Sequence, residues 1–281
     1  MVEISASAVK ALRDQTGLPM MECKQALVET GGDQEAAIKH LREKGKKTMA
    51  ARADRGTDFG RMGIYTDLAK GAAAMVELRC ESAPVVGNED FVRLANDLAQ
   101  QLATGPGAAT PEELLKQPSP SNPKQTLADQ KDELSNRIRE VFNVGRMTRI
   151  LAPAGAYAHH TGEYGVLVEL AAAGGKPIDP QVAKDIAMHI AAKNPQAVSK
   201  EDLDPELVSK EREILSEAAR KEGKPENIIA KMVEGRLRNF FAEMVLAEQP
   251  FIKDEAKTVG ALAKENGVTV KKFVYWRLGK E

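Results

Sequence analysis

Three histidines are the side chains best suited to chemistry in this chain. His159 and His160 are adjacent, and His189 lies further along. Imidazoles can bind a metal ion or act as acid–base groups. If the adjacent pair lies on a strand, however, its side chains point to opposite faces and cannot easily chelate one ion. Structural or surface roles are therefore favoured, and we predict no metal site.

Two glycine-rich stretches could in principle cradle a phosphate, at 103–110 and at Gly174-Gly175-Lys176. Neither has the Gly-x-x-x-x-Gly-Lys-Ser/Thr spacing, and Pro177 follows the lysine. No Ser-His-Asp, paired-carboxylate or His-Glu-x-x-His arrangement stands out. The residues indicate a binding protein without a cofactor, and an enzyme that uses one of the histidines as a base is the alternative.

The two cysteines and the start of the chain bear on the compartment. Cys23 and Cys80 lie far apart without Cys-x-x-Cys spacing, so we expect buried thiols in a reducing environment. The first residues, Met1-Val2-Glu3-Ile4, show neither a secretion nor a transit signal. No apolar run approaches the roughly 20 residues that span a bilayer. We therefore expect a cytoplasmic protein with no membrane role.

Charge gives no reason to expect a nucleic-acid partner. Forty Lys and Arg residues face forty-one Asp and Glu residues, for a formal net charge of -1. Basic residues do collect in 46–61, but no aromatic residues alternate with them to stack on bases. That stretch is predicted to be a mobile connector or a solvated helix, with a nucleic-acid patch as the less favoured alternative.

The first 45 residues are predicted to form a three-helix module. The first helix begins at Ser5 or Ser7 and ends at Gly17, and the second follows Pro19 and stops at Gly31-Gly32. Asp33 caps a third helix, with Gly45 beyond its end. This predicts a module over 1–45 and a linker over 46–62.

A duplicated α+β core is predicted to follow. Alternating residues over 63–80 predict a β-hairpin, and helical spacing predicts a helix over about 89–103. A second run of strands over 146–173 repeats the pattern, with Gly155 to Leu170 matching Gly63 to Leu78. The predicted core halves are 63–145 for the first, and 146–178 with 223–281 for the second.

The second half is predicted to be interrupted by an inserted helical hairpin over 179–222. This stretch is highly charged and its bulky apolar residues are sparse. An amphipathic helix that starts near Gly223 is predicted to return the chain to the core.

Several strings resemble the elongation factor Ts family, in the family order and over nearly the whole chain. They are Met20-Met21-Glu22-Cys23-Lys24, Asn88-Glu89-Asp90-Phe91, the run from Asp185 to Ala192, the run from Lys231 to Leu237, and Gln249-Pro250-Phe251. The resemblance implies a UBA-like N-terminal module, a coiled-coil character for the inserted hairpin, and possible homodimerisation through it. It also implies a guanine-nucleotide exchange factor that binds elongation factor Tu and promotes GDP release during translation elongation.

The resemblance also implies which residues touch the partner. Met20 and Met21 match an exposed methionine pair that contacts a helix of the partner's G domain, although packing inside the module is an equal alternative for either one. His159 matches a histidine of the family's exchange mechanism. The implied partner-binding residues are Arg13, Met20, Met21, Lys24, His159 and Met244.

One segment departs from the family pattern. The family places an Asp-Phe pair near the partner's magnesium ion, and the equivalent segment here is Ser82, Ala83, Pro84 and Val85. Asp90-Phe91-Val92 does not replace the pair, because that stretch matches another family string. A rigid Pro84 can still act as a small apolar wedge. We therefore expect exchange to depend more on His159 and the N-terminal contacts.

Overall fold

Helices and antiparallel sheets make an α+β fold in the computed structural model, which describes residues 4–173, 175–223 and 225–279. Gly174 of the glycine-rich stretch, Lys224 before the last long helix, and residues 1–3 and 280–281 lie outside the described residues. The helices are α1 Ala6–Thr16, α2 Met20–Glu29, α3 Gln34–Ala50, α4 Glu89–Thr104, α5 Pro111–Leu115, α6 Leu127–Ile138, α7 Pro180–Lys193, α8 Pro205–Lys221, α9 Glu226–Met244 and α10 Val259–Glu265. The strands are β1 Phe59–Asp67, β2 Ala72–Cys80, β3 Asn143–Ile150, β4 Ala154–Ala158, β5 Tyr164–Ala172, β6 Pro250–Phe251, β7 Asp254–Thr258 and β8 Val268–Arg277. The α+β prediction is confirmed.

The N-terminal three-helix module forms as predicted at its start. The Ser5 hydroxyl accepts from the Ala8 N–H at the first turn of α1, and Gly17 ends that helix with φ 67°. The Asp33 carboxylate caps α3 by accepting from the Ala36 N–H. The three helices then bury a small apolar cluster that includes Leu12 and Leu27.

The prediction that α3 ends before Gly45 is wrong. The helix continues to Ala50, and Gly45 lies buried in its interior. A Cβ atom there would lie 2.6 Å from Cγ of Asn136, so the glycine permits close contact with α6 and is not a helix stop. The predicted connector is correspondingly shorter, because β1 already begins at Phe59.

The core has four layers, with two sheets between two helices. One sheet has the order β1-β2-β3 and the other β4-β5-β8, and all pairings are antiparallel. Helix α4 packs on the first sheet and α7 on the second. A third apolar cluster, which includes Met62, Met75 and Leu167, fills the space between the sheets. The central strands β2 and β5 are consequently buried on both faces.

Two glycines show that the halves are built alike. Gly63 of β1 pairs with Val76 of β2, and Gly155 of β4 pairs with Val168 of β5. A Cβ atom on Gly63 would lie 1.9 Å from the Ala95 carbonyl oxygen of α4. A Cβ atom on Gly155 would lie 2.2 Å from the Ala183 carbonyl oxygen of α7. In each half a glycine thus lets the helix backbone approach the sheet.

The helices of 179–222 pair differently from the prediction. Helix α7 packs on β4 and β5 and buries Ile186 and Ile190, so it is the core helix of the second half. The hairpin is formed by α8 with α9, whose Val233 and Leu237 are buried against Ala219. The prediction treated 179–222 as one charged unit because α8 is rich in charged residues. The apolar residues of α7 are more closely spaced and indicate a core helix. The division of the chain into domains stays a prediction.

The N-terminal module rests on α6 through charged side chains. Arg42 pairs with Glu133, Lys46 lies 3.5 Å from Asp132, and Glu22 pairs with Arg139 just after α6. A cleft of about 670 Å³ remains between the module and the core. Exposed ion pairs stabilise such a contact by only about 0–1 kcal/mol each. These ion pairs therefore add little to the direct packing of α3 on α6 at the buried Gly45.

None of the helices in the described part of the chain combines the length and apolar character needed to cross a bilayer.

His189 is a structural histidine, as predicted. Its side chain is fully buried, with Nε2 2.9 Å from Oε1 of Gln249 and Nδ1 accepting from the Ile252 N–H at 3.3 Å. The Gln249 amide in turn donates to the Glu243 carbonyl at 2.7 Å. Because Nδ1 accepts, Nε2 carries the proton, and the neutral ring satisfies both neighbours.

Acidification should destabilise the protein through His189. Burial lowers its pKa, although the hydrogen bond to Gln249 opposes that shift. Below pH of about 6.5 the unfolded chain binds a proton at this histidine, whereas the folded chain does not. The free energy of unfolding should therefore decrease as the pH is lowered, by at most about 1.4 kcal/mol per pH unit, until the folded-state pKa is reached. Urea unfolding between pH 7.5 and 5.5 should show this slope. His189→Gln should remove it, and the exposed His160→Gln should retain it. An NMR titration of folded His189 near pH 6.5 would contradict the assignment.

Candidate partner-binding site

Helix α2 presents an apolar stripe to solvent. Met21 is 72% exposed, Val28 51% and Met20 44%, whereas Cys23 and Leu27 on the opposite side of the helix are fully buried. Helical spacing places Met21, Lys24 and Val28 on one face. The methionine pair thus lies on the solvent-exposed surface of the module, where flexible thioethers are suited to an adaptable contact.

One cation lies on this face of α2, and another lies on the neighbouring helix α1. Arg13 of α1 and Lys24 of α2 are both exposed. Within the described residues neither side chain has a carboxylate at ion-pair distance. An apolar strip with two unpaired cations is suited to a partner surface that combines apolar side chains with carboxylates.

The segment Ser82 to Val85 forms an exposed tip between β2 and α4. Ala83–Gly87 is a short 3-10 helix that begins with Pro84 in its first turn. Ala83 and Pro84 are exposed, whereas Val85 is buried in the core beneath α4. The tip therefore offers a small apolar surface on a backbone that is anchored from below.

Glu140 holds the base of this tip. Its Oε2 accepts from the backbone N–H groups of Glu81 and Ser82, at 3.1 Å each, and its Oε1 accepts from the Ser82 hydroxyl. Burial raises the pKa of Glu81, but the Val141 N–H and the nearby Arg55 lower it more, so this carboxylate keeps its charge. Arg139, next to Glu140, pairs with Glu22 of α2. One short segment after α6 thus contacts both the tip and the helix that carries the methionines.

His159 lies in the turn between β4 and β5, not on a strand. Its Nδ1 is 2.8 Å from the Thr161 hydroxyl, and its ring stacks on Tyr164 with centroids 4.3 Å apart. The His160 ring lies next to the His159 ring, with the ring centroids 4.1 Å apart. The expectation that the two side chains point to opposite faces is wrong, because β4 ends at Ala158 and strand alternation stops there. His159 is held in place but remains partly exposed.

Arg61 connects the tip and the histidine turn. Its Nη1 donates at 2.8 Å to the carbonyl of Val86, the residue that directly follows the tip. The neighbouring Met62 N–H donates to the Gly162 carbonyl in the histidine turn, also at 2.8 Å. The two candidate elements are therefore attached to the same end of β1. Arg61 was assigned to the connector from its sequence, yet the alternation of Met62 and Ile64 could have extended the strand back to it.

Met244 occupies a different position, at the end of α9. It is half-buried in an apolar cluster with Leu203, Val245 and Ala197. Much of its side chain therefore packs inside the chain, and only part of it can reach a partner.

The side chains that the enzyme alternative would use are held in different surroundings. Among the described residues no group of three or more His, Cys, Asp or Glu side chains could hold a metal ion. His189 is occupied by Gln249 and lies apart from the turn of His159. Cys80 is buried, and burial with the nearby Glu140 raises its pKa to about 11, which leaves an unreactive thiol. The exposed elements present surface for contact.

Comparison with known proteins gives one consistent family. The family model described as "Elongation factor TS" matches residues 84–280. The chain is 41% identical over 282 residues to Elongation factor Ts of Methylococcus capsulatus, covering 99% of this chain and 93% of the relative. It is 41% identical to the protein of the same name from Azoarcus sp. over 100% and 92%, and 40% identical to that from Clostridium botulinum over 99% and 93%. The similarity therefore covers the N-terminal module, the tip and the histidine turn together.

Proposed function

Because this chain belongs to the elongation factor Ts family of translation elongation factors, we propose that it binds elongation factor Tu and accelerates release of GDP from it. The observation that carries the proposal is the similarity to curated relatives over nearly the whole chain at about 40% identity. The exposed α2 stripe and the tip and histidine turn attached to β1 support it as separate contact surfaces. We place this activity in the cytoplasm, where the partner works.

Exchange of this kind needs no bond to be made or broken. GDP is held on the partner largely by phosphate contacts and a magnesium ion, so a factor that displaces those surroundings loosens the nucleotide. By thermodynamic linkage, a protein that binds the nucleotide-free partner more tightly than the GDP-bound one weakens GDP by the same ratio. The α2 stripe supplies affinity in this scheme, while the tip at Pro84 and the ring of His159 press on the nucleotide site.

Release of a fluorescent GDP analogue from elongation factor Tu tests the proposal. Added protein should accelerate release in a saturable way. Binding without acceleration would support the second candidate, an adaptor that holds elongation factor Tu without exchange. That candidate is favoured by Ala83 and Pro84, which supply neither the carboxylate nor the aromatic ring of the family's pair. Absence of both binding and acceleration would remove the two candidates together.

His159→Ala should slow exchange more than Pro84→Ala. His159 offers a ring and a second nitrogen from a fixed turn, whereas Pro84→Ala shortens a tip whose backbone remains held by Glu140 and Arg61. We expect a loss of about tenfold for His159→Ala, or about 1.4 kcal/mol, and about threefold or less for Pro84→Ala. Single-turnover release rates at saturating protein measure both. The opposite order of rates would contradict this division between the halves.

Homodimerisation through the hairpin predicted over 179–222 stays a prediction; of that stretch, α8 belongs to the hairpin that the structure shows. Ile214 is 60% exposed and Leu207 41% exposed on α8, so apolar surface is available there.

A further inference from the structure

We propose that Arg61 is a positioning residue that couples the Ser82–Val85 tip to the His159 turn, so that the two press on the partner as one unit. The inference rests on the proposed function. It concerns a residue outside both elements, in a strand that neither of them contains.

The first observation is how Arg61 is buried. It is half-buried in β1, and among the described residues no carboxylate lies at ion-pair distance from it. Its Nη1 donates to the Val86 carbonyl at 2.8 Å, and its buried Nε has no hydrogen-bond partner in the described structure. Burial lowers the pKa of this guanidinium. A partly desolvated cation on a single carbonyl holds that carbonyl more strongly than a neutral donor does.

The second observation is the contact with the histidine turn. Gly162 has φ 80°, and a Cβ atom there would lie 2.8 Å from Cβ of Arg61 and 3.6 Å from its guanidinium carbon. The backbone of the turn at Gly162 therefore packs directly against the side chain of Arg61. The Gly162 N–H donates to the His159 carbonyl at 2.8 Å, which extends the contact to the histidine.

These contacts make one continuous link. The guanidinium fixes the carbonyl of Val86, two positions after Pro84, and the aliphatic stem supports Gly162, three positions after His159. If the side chain is removed, the tip loses a donor and the turn loses the surface on which it rests. Both exposed elements should then become independently mobile while β1 keeps its place in the sheet.

Arg149 of β3 provides a matched control. It is also a half-buried arginine that donates to backbone carbonyls, those of Ala103 and Gly105 at 3.0 and 2.8 Å, and its Nε is likewise buried without a partner. Its carbonyl partners lie at the end of α4, away from the tip and the turn. Loss of Arg149 therefore reports the general cost of deleting such a side chain.

The kinetic test compares Arg61→Ala with Arg149→Ala. The maximal rate of GDP release should fall about tenfold for Arg61→Ala and no more than about twofold for Arg149→Ala, while the affinity for nucleotide-free elongation factor Tu changes less than about threefold in both. Arg61→Lys keeps a donor and a stem, so it should restore most of the rate. Combining Arg61→Ala with His159→Ala should cost less than the product of the single losses. Equal losses in the two alanine variants, or multiplicative losses in the double variant, would overturn the proposal.

NMR of the free protein separates this inference from the proposed function. In Arg61→Ala the signals of Val86 and His159 should both shift or broaden, and in Arg149→Ala both should remain as in the parent. If the parent fails to accelerate GDP release, the proposed function fails, while the NMR comparison still decides the coupling. Unchanged Val86 and His159 signals in a folded Arg61→Ala variant would overturn it.

Discussion

Gly63→Ala should destabilise the protein by about 3 kcal/mol or more, which corresponds to a fall in melting temperature of roughly 6–12 °C. The added methyl group would lie 1.9 Å from the Ala95 carbonyl oxygen and 2.4 Å from its carbon, both in helix backbone. No side chain can rotate away to relieve this contact, so α4 must move off the sheet. Urea unfolding measures the change, and Gly155→Ala should behave similarly because it meets the Ala183 carbonyl of α7.

Gly235→Ala is the control for this prediction. Gly235 is exposed in the interior of α9, and a Cβ atom there meets nothing within 4 Å. The change should stabilise the helix by about 0.5–1 kcal/mol. A Gly63→Ala variant that retains the stability of the parent to within about 1 kcal/mol would contradict the close packing of α4 on β1.

The double substitution Met20→Asp with Met21→Asp should weaken binding of elongation factor Tu by about 100-fold, or about 2.7 kcal/mol. Both thioethers are exposed on α2, so the change removes apolar contact and forces two carboxylates to lose water in the complex. Because both methionine side chains are exposed in the free protein, the substitution should leave its melting temperature unchanged. Titration with a labelled partner gives the affinity, and thermal unfolding gives the stability.

Leu151→Asp is the matched control for Met21→Asp. Leu151 is 71% exposed, almost the same as Met21 at 72%, but it lies between β3 and β4, outside the proposed contact surfaces. Its substitution should change the affinity less than about threefold. Comparable losses from the two single substitutions would show that any exposed apolar side chain matters, and would remove the special role of the α2 stripe.

Local signals in the sequence predicted much of this fold. Caps act within a few residues, so Asp33 identified the start of α3 correctly, and Ser5 was one of the two residues predicted to start α1. The duplication was visible because Gly63 and Gly155 occupy equivalent positions in their hairpins. By contrast, Gly45 was interpreted as a helix end because a glycine that permits helix–helix contact has the same local sequence as one that stops a helix. Only its distant neighbour Asn136 distinguishes the two.

The candidate site was predicted less completely, and for the same reason. The exposed elements at Met20, Pro84 and His159 came from matching strings. The residues that hold them in place did not, because Arg61 contacts Val86 and Glu140 contacts Ser82 across long stretches of chain. Such pairs leave no periodic pattern in a single sequence.

The repeated architecture gives the two halves equivalent connections, of which the proposed exchange surface uses a different one from each half. Both contain a turn that joins the first two strands and a connection that leads from the second strand to the helix. The proposed exchange surface takes the connection, with Pro84, from the first half and the turn, with His159, from the second. The first-half turn that ends at Gly71 instead lies against the second half, where Leu68 packs on its apolar cluster and Gly71 approaches the backbone of Ala152. Insertions in this turn should therefore disturb the packing between the two halves, whereas insertions at the histidine turn should act on the proposed contact with the partner.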